Sequence, residues 1–255
     1  MKTKEEINKL YEEKKYREIV EAVDIQLLWN IRKKDRDEIM LTVAWSYHQL
    51  GEYDKSIPIM RDLANIYGTS SKIGEQAWRG WAHGVLQQDG DINLADEIMK
   101  LLPPSPERDN VRMNFFLIAA RKGAAISASE IMTAITNALA AVPYKTVDGH
   151  IINNGAFALH EAREQEGVKP YLPILPALMF SAIGIYRATD TAKNHLAGVT
   201  FRASQICEAA GWKKLARIEA ETSVGLWRKL VSSQGGERYQ QNLKGAEAQL
   251  GKLTQ

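Results

Sequence analysis

The chain has 255 residues, of which 45% are apolar and 25% are charged, and its formal net charge is +2. This composition is ordinary for a globular protein and excludes a chain dominated by disorder. A net charge so close to zero also argues against a dedicated nucleic-acid-binding protein, because neutralising phosphates needs a strongly basic surface.

The apolar segments and the single cysteine indicate the cellular compartment in which the protein is expected. Apolar runs such as 174–185 are interrupted by Pro176 and Gly184 and are shorter than the ~20 residues of a membrane-spanning helix. The charged start of the chain, residues 2–6, lacks the apolar core of a signal peptide. Cys207 can form no internal disulfide, which fits a reducing compartment. We therefore predict a cytoplasmic protein without membrane contact.

The first predicted helix pair is the least regular. Ile7 and Leu10 belong to one apolar stripe, a turn follows at 14–16, and Ile19 and Val23 continue on a second helix. Because apolar residues three and four apart share a helical face, both segments are predicted to be amphipathic helices.

The second pair carries a clearer pattern. Its first helix has an apolar stripe at spacing 3, 1, 3, made of Met40, Val43, Ala44 and Tyr47. The small residue Ala44 marks a place where a neighbouring helix must come close. Gly51 is predicted to end this helix in the left-handed conformation, which only glycine adopts at little cost. The partner helix carries Ser56, Met60 and Leu63.

The third pair repeats the second. Its stripe consists of Trp78, Trp81, Ala82 and Val85. A turn at 89–92 follows, and the partner helix carries Ala95, Met99 and Leu102 at the spacing of Ser56, Met60 and Leu63. The proline-rich segment 103–106 then ends the helix, because proline cannot continue it.

These pairs resemble the tetratricopeptide repeat, whose pattern places a large apolar residue, a small residue and an aromatic residue before a glycine-containing turn. The resemblance covers residues 5–102, and the turn residues Tyr16 and Tyr53 lie 37 positions apart, against a family period of about 34. It implies an all-α, right-handed solenoid of antiparallel helix pairs that binds a protein or peptide in its concave groove.

Helical patterns continue to the end of the chain. A fourth pair is expected over 110–142, with a turn at Gly123 and Ser127 as the N-cap of its second helix. A fifth pair is expected at 147–165 and 171–187. Beyond Asp190 we expect helices to Ala210, over 212–232 and over 237–253. The predicted organisation is helical repeats at 1–188 and a C-terminal helical cap at 189–255.

The groove residues are taken from the face opposite the packing stripe. On the second pair these are Glu38, Leu41, Trp45 and His48, and on the third pair Arg79, His83 and Gln87. Trp45 and Leu41 are the expected apolar anchors, and Arg79, His83 and Gln87 are the expected polar selectors. Coverage of Trp45 by a neighbouring segment stays open. Some repeats of this family bind a chaperone carboxylate through cations, but Glu38 and Leu41 occupy positions where cations are needed.

No catalytic, metal or cofactor site is expected. His160 and Glu164 lie one helical turn apart, a spacing compatible with two metal ligands on a helix, but a solvated His-Glu pair explains them. Cys207 and His195 are about 18 Å apart along one predicted helix, too far to form a nucleophile and base. We therefore predict a binding protein rather than an enzyme.

Two other function classes remain as alternatives. The C-terminal region has a basic edge that suits a nucleic acid or another acidic partner, made of Lys213, Lys214, Arg217, Arg228 and Lys229. Alternatively, the chain is a structural subunit that self-associates into a homo-oligomer through residues 180–185 and Trp227. Salt dependence of binding would identify the first alternative, and concentration-dependent size the second.

Overall fold

Helices form all the regular secondary structure of the described chain. The computed structural model describes residues 2–25, 28, 32–189 and 193–254, and no strand occurs within them. The all-α fold class predicted from the sequence is confirmed. The chain divides into two compact units, Met1–Arg108 and Asp109–Gln255. The boundary expected near residue 188 falls inside the second unit.

The first unit is built from helices that pack on their chain neighbours and also on alternate helices. Contacts join α3 to α4, and α4 to α5; α1 and α5 both contact α3 as well. The helices are α1 (Lys4–Glu12), α2 (Tyr16–Ala22), α3 (Lys33–Gln49), α4 (Tyr53–Tyr67), α5 (Lys72–Asp89) and α6 (Ile92–Lys100).

Apolar stripes of these helices form the core of the first unit. One cluster of buried side chains joins α1, α2 and α3 and consists of Ile7, Ile19, Val23, Leu28, Ile39 and Val43. Ala44 is fully buried, and its carbonyl oxygen accepts a hydrogen bond of 2.9 Å from Ser56 Oγ on α4. The small residue therefore stands where α3 and α4 come close, as the spacing predicts.

Two glycines that sequence reasoning passed over bring α4 and α5 together. A Cβ atom added to Gly80 would lie 2.7 Å from Met60 Cε, and one added to Gly84 would lie 2.7 Å from Ile57 Cγ1. Real Cβ atoms do not approach other atoms so closely, so a side chain at either position would push against α4. Ala82, the small residue that the pattern singled out, lies between the two glycines in the sequence and is fully buried.

The turn after α3 has the predicted left-handed glycine. Gly51 has φ +76°, and its N–H donates to the His48 carbonyl while the Glu52 N–H donates to the Tyr47 carbonyl. This pair of bonds is a Schellman motif, which satisfies carbonyl groups at the helix end. The prediction for Gly51 is confirmed.

The same motif ends α1 without a glycine. Lys14 has φ 59°, its N–H donates to the Tyr11 carbonyl, and the Lys15 N–H donates to the Leu10 carbonyl. Lys14 therefore occupies the position of Gly51, and α2 begins at Tyr16 as α4 begins at Tyr53. The correspondence of the first two turns, inferred from residues 14–16, holds in the backbone.

The second unit contains the remaining helices. Consecutive contacts run from α8 to α13, and α9 also contacts α11. A buried cluster at its C-terminal end contains Ala197, Val224, Trp227, Leu230 and Ala246. The elements are α7 (Pro106–Arg121), which starts just before the unit, α8 (Ala128–Ala140), α9 (Thr146–Glu161), a 3-10 helix (Lys169–Ile174), α10 (Leu175–Ala188), α11 (Lys193–Ala209), α12 (Lys213–Gln234) and α13 (Glu237–Leu253).

Schellman motifs recur in the second unit at Gly123 after α7 and at Gly211 after α11. Their φ angles are +76° and +79°, and the next residue's N–H reaches back to the Ala119 carbonyl in the first case and the Cys207 carbonyl in the second. Ser127 caps α8 by accepting a hydrogen bond from the Glu130 N–H, as predicted.

The segment before α10 departs from the expected helix. Residues 169–174 form a 3-10 helix, and the α-helix begins only at Leu175. Pro170 and Pro173 explain this, because each lacks the N–H donor that an α-helix would use. The preceding helix ends at Glu161 rather than 165. Asp190, where the next helix was expected to begin, lies outside the described residues.

One segment of the described chain, Lys169–Ala188, is long and apolar enough to cross a membrane by length and composition alone. It comprises the 3-10 helix and α10. Leu178, Ala182 and Tyr186 on α10 are buried within the protein. Because core helices pass the same test, this finding is weak evidence for a membrane span.

Candidate functional site

The candidate site lies on the first unit, where two histidines join α3 to α5. His48 Nε2 and His83 Nδ1 are 2.5 Å apart, and the ring centroids are 4.6 Å apart. Gln87 Nε2 lies 3.4 Å from His83 Nε2. Which nitrogen donates in each contact depends on the tautomers of the two imidazoles. Three of the predicted groove residues therefore form one chain of hydrogen bonds.

Aromatic rings surround His48. Its ring meets the Trp45 ring edge-on at 5.1 Å and the Tyr53 ring at 5.0 Å between centroids. Trp45 is half-buried, so the structure leaves part of its indole accessible. Trp45 is therefore neither fully covered nor fully exposed: its ring packs on His48, and part of the residue remains accessible.

Burial keeps His48 uncharged at neutral pH. Desolvation, and secondarily the neighbouring His83, lower the pKa of His48 to about 4. His48 is 5% exposed, and its Nδ1 has no hydrogen-bond partner among the described residues. At neutral pH His48 is therefore a neutral imidazole and a weak base.

Arg79, the remaining polar selector, already forms an ion pair with a residue of its own helix. Arg79 Nη2 donates to Glu75 Oε1 at 2.5 Å, and both side chains are partly accessible. An exposed pair of this kind contributes little stability, so exchanging Glu75 for an acidic partner residue would cost little. Arg79 Nε is buried and has no partner in the described chain.

Two predicted groove residues are placed differently from the others. Leu41 is only 8% exposed and belongs to the buried core. Glu38 forms an ion pair with Lys4 of α1. Burial therefore removes Leu41 from the surface that a partner could reach, and Lys4 already neutralises Glu38.

The predicted basic edge is exposed but partly neutralised. Its five cations, Lys213, Lys214, Arg217, Arg228 and Lys229, are all exposed. Arg217 pairs with Glu221 at 2.9 Å, and Arg228 pairs with Glu247 at 2.8 Å. Trp212, at the start of α12, is 44% exposed. These ion pairs reduce the charge available to a polyanion.

The residues proposed for self-association lie mostly inside the second unit. Trp227, Ile183 and Ile185 are at most 5% exposed, and Phe180 is half-buried. Trp227 packs in the cluster between α11, α12 and α13. Packing within one chain therefore explains these apolar residues without a second copy.

A polar cluster in the second unit was missed by sequence reasoning. We call it the Arg202 cluster, and it consists of Asn110, His150, Asn153, Asn154, Tyr186 and Arg202. Arg202 Nη1 donates to Asn154 Oδ1 at 2.8 Å, and Asn154 Nδ2 donates to Asn110 Oδ1 at 3.2 Å. Asn153 Nδ2 also donates to Asn154 Oδ1 at 3.2 Å.

The same cluster contains a histidine and a tyrosine. His150 Nδ1 lies 2.7 Å from the Tyr186 hydroxyl, and the His195 ring lies 4.8 Å from His150 between centroids. Helices α7, α9, α10 and α11 supply these side chains. The sequence signal that could have revealed the cluster is the pair Asn153-Asn154 in the otherwise apolar run 151–159.

Three observations bear on metal binding and on nucleophilic catalysis. Within them, no three His, Cys, Asp or Glu side chains lie close enough together to hold a metal ion. Burial raises the pKa of Cys207 to about 11, so its sulfur is a neutral thiol at physiological pH. His160 stacks on Phe157, and Glu164 is exposed.

Comparison with known proteins gives no relative: no protein-family model, no curated protein and no solved structure matches this chain.

Proposed function

We propose that the chain is a non-enzymatic scaffold of tetratricopeptide-like helix pairs and that the first unit binds a peptide or protein segment on the face formed by α3 and α5. The observation that carries the proposal is the contact between His48 and His83, with the half-buried Trp45 beside it. This contact fixes two helices side by side and presents an aromatic surface next to polar groups.

Repeated local geometry supports the scaffold. Hairpin turns after α1, α3, α7 and α11 use the same pair of backbone bonds. In the first unit α1 contacts α3 and α3 contacts α5, and in the second α9 contacts α11. Contact between alternate helices is what a stack of helix pairs requires, since each pair must bury an apolar face on the next.

The residues of the α3–α5 face suit recognition by binding. A half-buried tryptophan gives a large apolar contact at low entropic cost, and tryptophan and arginine are the residue types that dominate binding energies at interfaces. The revised contact set is Trp45 as anchor, with Arg79, His83 and Gln87 as polar neighbours. Leu41 leaves this set because it is buried.

Capture of partners with matched variants tests the proposal. Trp45→Ala should lose the proteins that the parent chain captures from a cytoplasmic extract, while Trp45→Phe should keep most of them because an aromatic ring remains. The control is Ile66→Ala on α4, since Ile66 is 56% exposed and its removal also deletes an exposed apolar side chain. Circular dichroism of all three variants should match the parent.

Two results would contradict the proposal. Equal capture by Trp45→Ala and the parent would place the binding surface elsewhere. Loss of capture with Ile66→Ala alone would move it to the exposed side of α4. If capture instead weakens steeply with added salt and survives Trp45→Ala, the basic edge of α12 is the binding surface, as expected for a polyanionic partner.

A further inference from the structure

We propose that the Arg202 cluster is a binding site for a singly charged carboxylate. The site belongs to the second unit and goes beyond the partner-binding face assigned to α3 and α5. Its centre is the guanidinium of Arg202, which donates to the neutral Asn154 and rests on the Phe157 ring, 4.8 Å from its centroid.

The cation at the centre has no anionic partner of its own. Arg202 makes no ion pair with any carboxylate of the described residues; Glu161 attracts it from beyond ion-pair distance, while desolvation, and secondarily repulsion by Arg121, lower its pKa to about 10. It is still protonated at neutral pH. A partly desolvated charge without a paired counter-ion would be stabilised by an anion that binds beside it.

The charges of the side chains around Arg202 favour a ligand with a single negative charge. Arg121 also contacts the Phe157 ring, at 5.5 Å, and its charge is balanced by Glu161, which accepts from Arg121 Nε at 3.4 Å. Burial, and then His195, lower the pKa of His150, which favours its neutral form. Burial raises the pKa of Tyr186, so its hydroxyl stays neutral. One positive charge therefore remains, which matches a carboxylate better than a phosphate dianion.

The hydrogen-bonding groups fit a carboxylate that carries a neighbouring N–H. The fork of Arg202 can bind both oxygens of a carboxylate. Asn153 Oδ1 and Gln205 Oε1 are buried acceptors without a partner in the described chain. Gln205 is three residues after Arg202 and shares its helical face. Because an unpaired buried acceptor is costly, either oxygen would gain from a ligand N–H that reaches it when the side chains around Arg202 rearrange.

Helix α11 leaves open space next to Arg202. Gly198 precedes Arg202 by four residues and therefore lies on the same face, one turn away. A Cβ atom at Gly198 would meet nothing within 4 Å. A small acid or the C-terminal end of a peptide supplies the proposed carboxylate equally well, and the probes below distinguish these two sources.

Titration of the full chain with small probes tests the site. N-acetylglycine is expected to shift the side-chain NMR signals of Arg202 and Asn154 and to raise the melting temperature. N-acetylglycinamide, which has the same amide but no charge, should have no such effect, and inorganic phosphate should bind more weakly. If acetate acts as well as N-acetylglycine, the site takes free acids; if it does not, the site takes a carboxylate attached to an amide.

Three arginine variants separate binding from folding. Arg202→Met should fold at least as stably as the parent, because it removes an unpaired cation, yet it should bind N-acetylglycine at least about tenfold more weakly. Arg202→Lys keeps the charge but loses the fork and should also bind more weakly. Arg238→Met, an exposed residue of α13, makes the same change in net charge and should bind as the parent does.

Four results would overturn the proposal. These are an equal response to N-acetylglycinamide, tighter binding of phosphate than of N-acetylglycine, parental affinity in Arg202→Met, and no response of the parent to any carboxylate probe. If Arg202→Met fails to fold, the affinity of Arg202→Lys tests the proposal instead. An affinity of Arg202→Lys equal to that of the parent would contradict recognition by the guanidinium fork.

Discussion

At the scale of single residues, the paired histidines make the first unit sensitive to acid. His48 and His83 are bonded through ring nitrogens 2.5 Å apart, which requires that one of the two nitrogens be unprotonated. Protonation of His48 would place a charge in a buried position beside Trp45, Tyr53 and a second histidine. The fold therefore favours the neutral form of His48.

We predict that the first unit loses stability as the pH falls from 6.5 towards 4. The pKa of His48 is lowered from 6.5 to about 4, so the unfolded chain binds more protons than the folded chain between these values. The contribution of neutral His48 is complete above the unfolded pKa and is lost as the pH falls through this window. Thermal melts across the window should show a falling midpoint.

The matched variant for this prediction is His48→Gln, which keeps a polar side chain that does not titrate. Its melting temperature should depend less steeply on pH than that of the parent. A residual slope is expected, because burial also lowers the pKa of His150 and His160. Parallel pH profiles for parent and variant would show that His48 does not titrate as described.

Helical spacing identified part of the candidate site and misplaced another part. It put His48, His83 and Gln87 on facing sides of two helices, and the structure joins them. It also put Leu41 on the open face, where the structure buries it. Periodicity shows which side of α3 a residue lies on, but not which other helices pack on α3, and both α1 and α5 contact it.

At the scale of elements, the helix hairpins share one turn. The residue after the helix end has a positive φ at Lys14, Gly51, Gly123 and Gly211, and the N–H of the following residue reaches back to a carbonyl of the last turn. Three of the four positions are glycine. Lys14 is the exception, and a side chain in this conformation costs roughly 1–2 kcal/mol.

We predict that Lys14→Gly stabilises the protein by up to about 1 kcal/mol, because the relief of backbone strain exceeds the added entropy of the unfolded chain. Gly51→Ala should destabilise it by about 1 kcal/mol for the opposite reason. Both changes should appear in the midpoint of urea unfolding. The side chain of Lys14 is exposed, so its loss adds little.

Gly167→Ala is the control for these two variants. Gly167 lies in an exposed loop, has no positive φ, and a Cβ atom there would meet nothing within 4 Å. Its substitution should be neutral or slightly stabilising. If Lys14→Gly instead destabilised the chain, the equivalence of the first two turns would be wrong.

Most helix positions could be predicted because their signals are local. The bounds of α13 and the cap at Ser127 follow from glycine and capping residues next to apolar stripes. The 3-10 helix at 169–174 was missed because the apolar pattern there continues into α10, while the missing N–H groups of Pro170 and Pro173 change the type of helix. The apolar pattern favours a continuous α-helix here, but the missing backbone donors determine the type of helix that forms.

At the scale of the whole molecule, each unit contains polar contacts between alternate helices. His48 and His83 join α3 and α5 in the first unit, whereas Arg202 and Asn154 join α11 and α9 in the second. The Arg202 cluster was beyond prediction because Asn110, Asn154 and Arg202 are 44 and 48 residues apart along the chain. Their proximity depends on how helices pack, which spacing within one helix does not reveal.

Site-specific cross-linking most directly tests the proposed docking of a partner on the α3–α5 face. A photoreactive residue at Gln49, an exposed position four residues after Trp45 on α3, should form cross-links to a captured partner. The same residue at Ile66, exposed on α4, should form few or none. Equal yields at both positions, or cross-links from Ile66 alone, would contradict docking on this face.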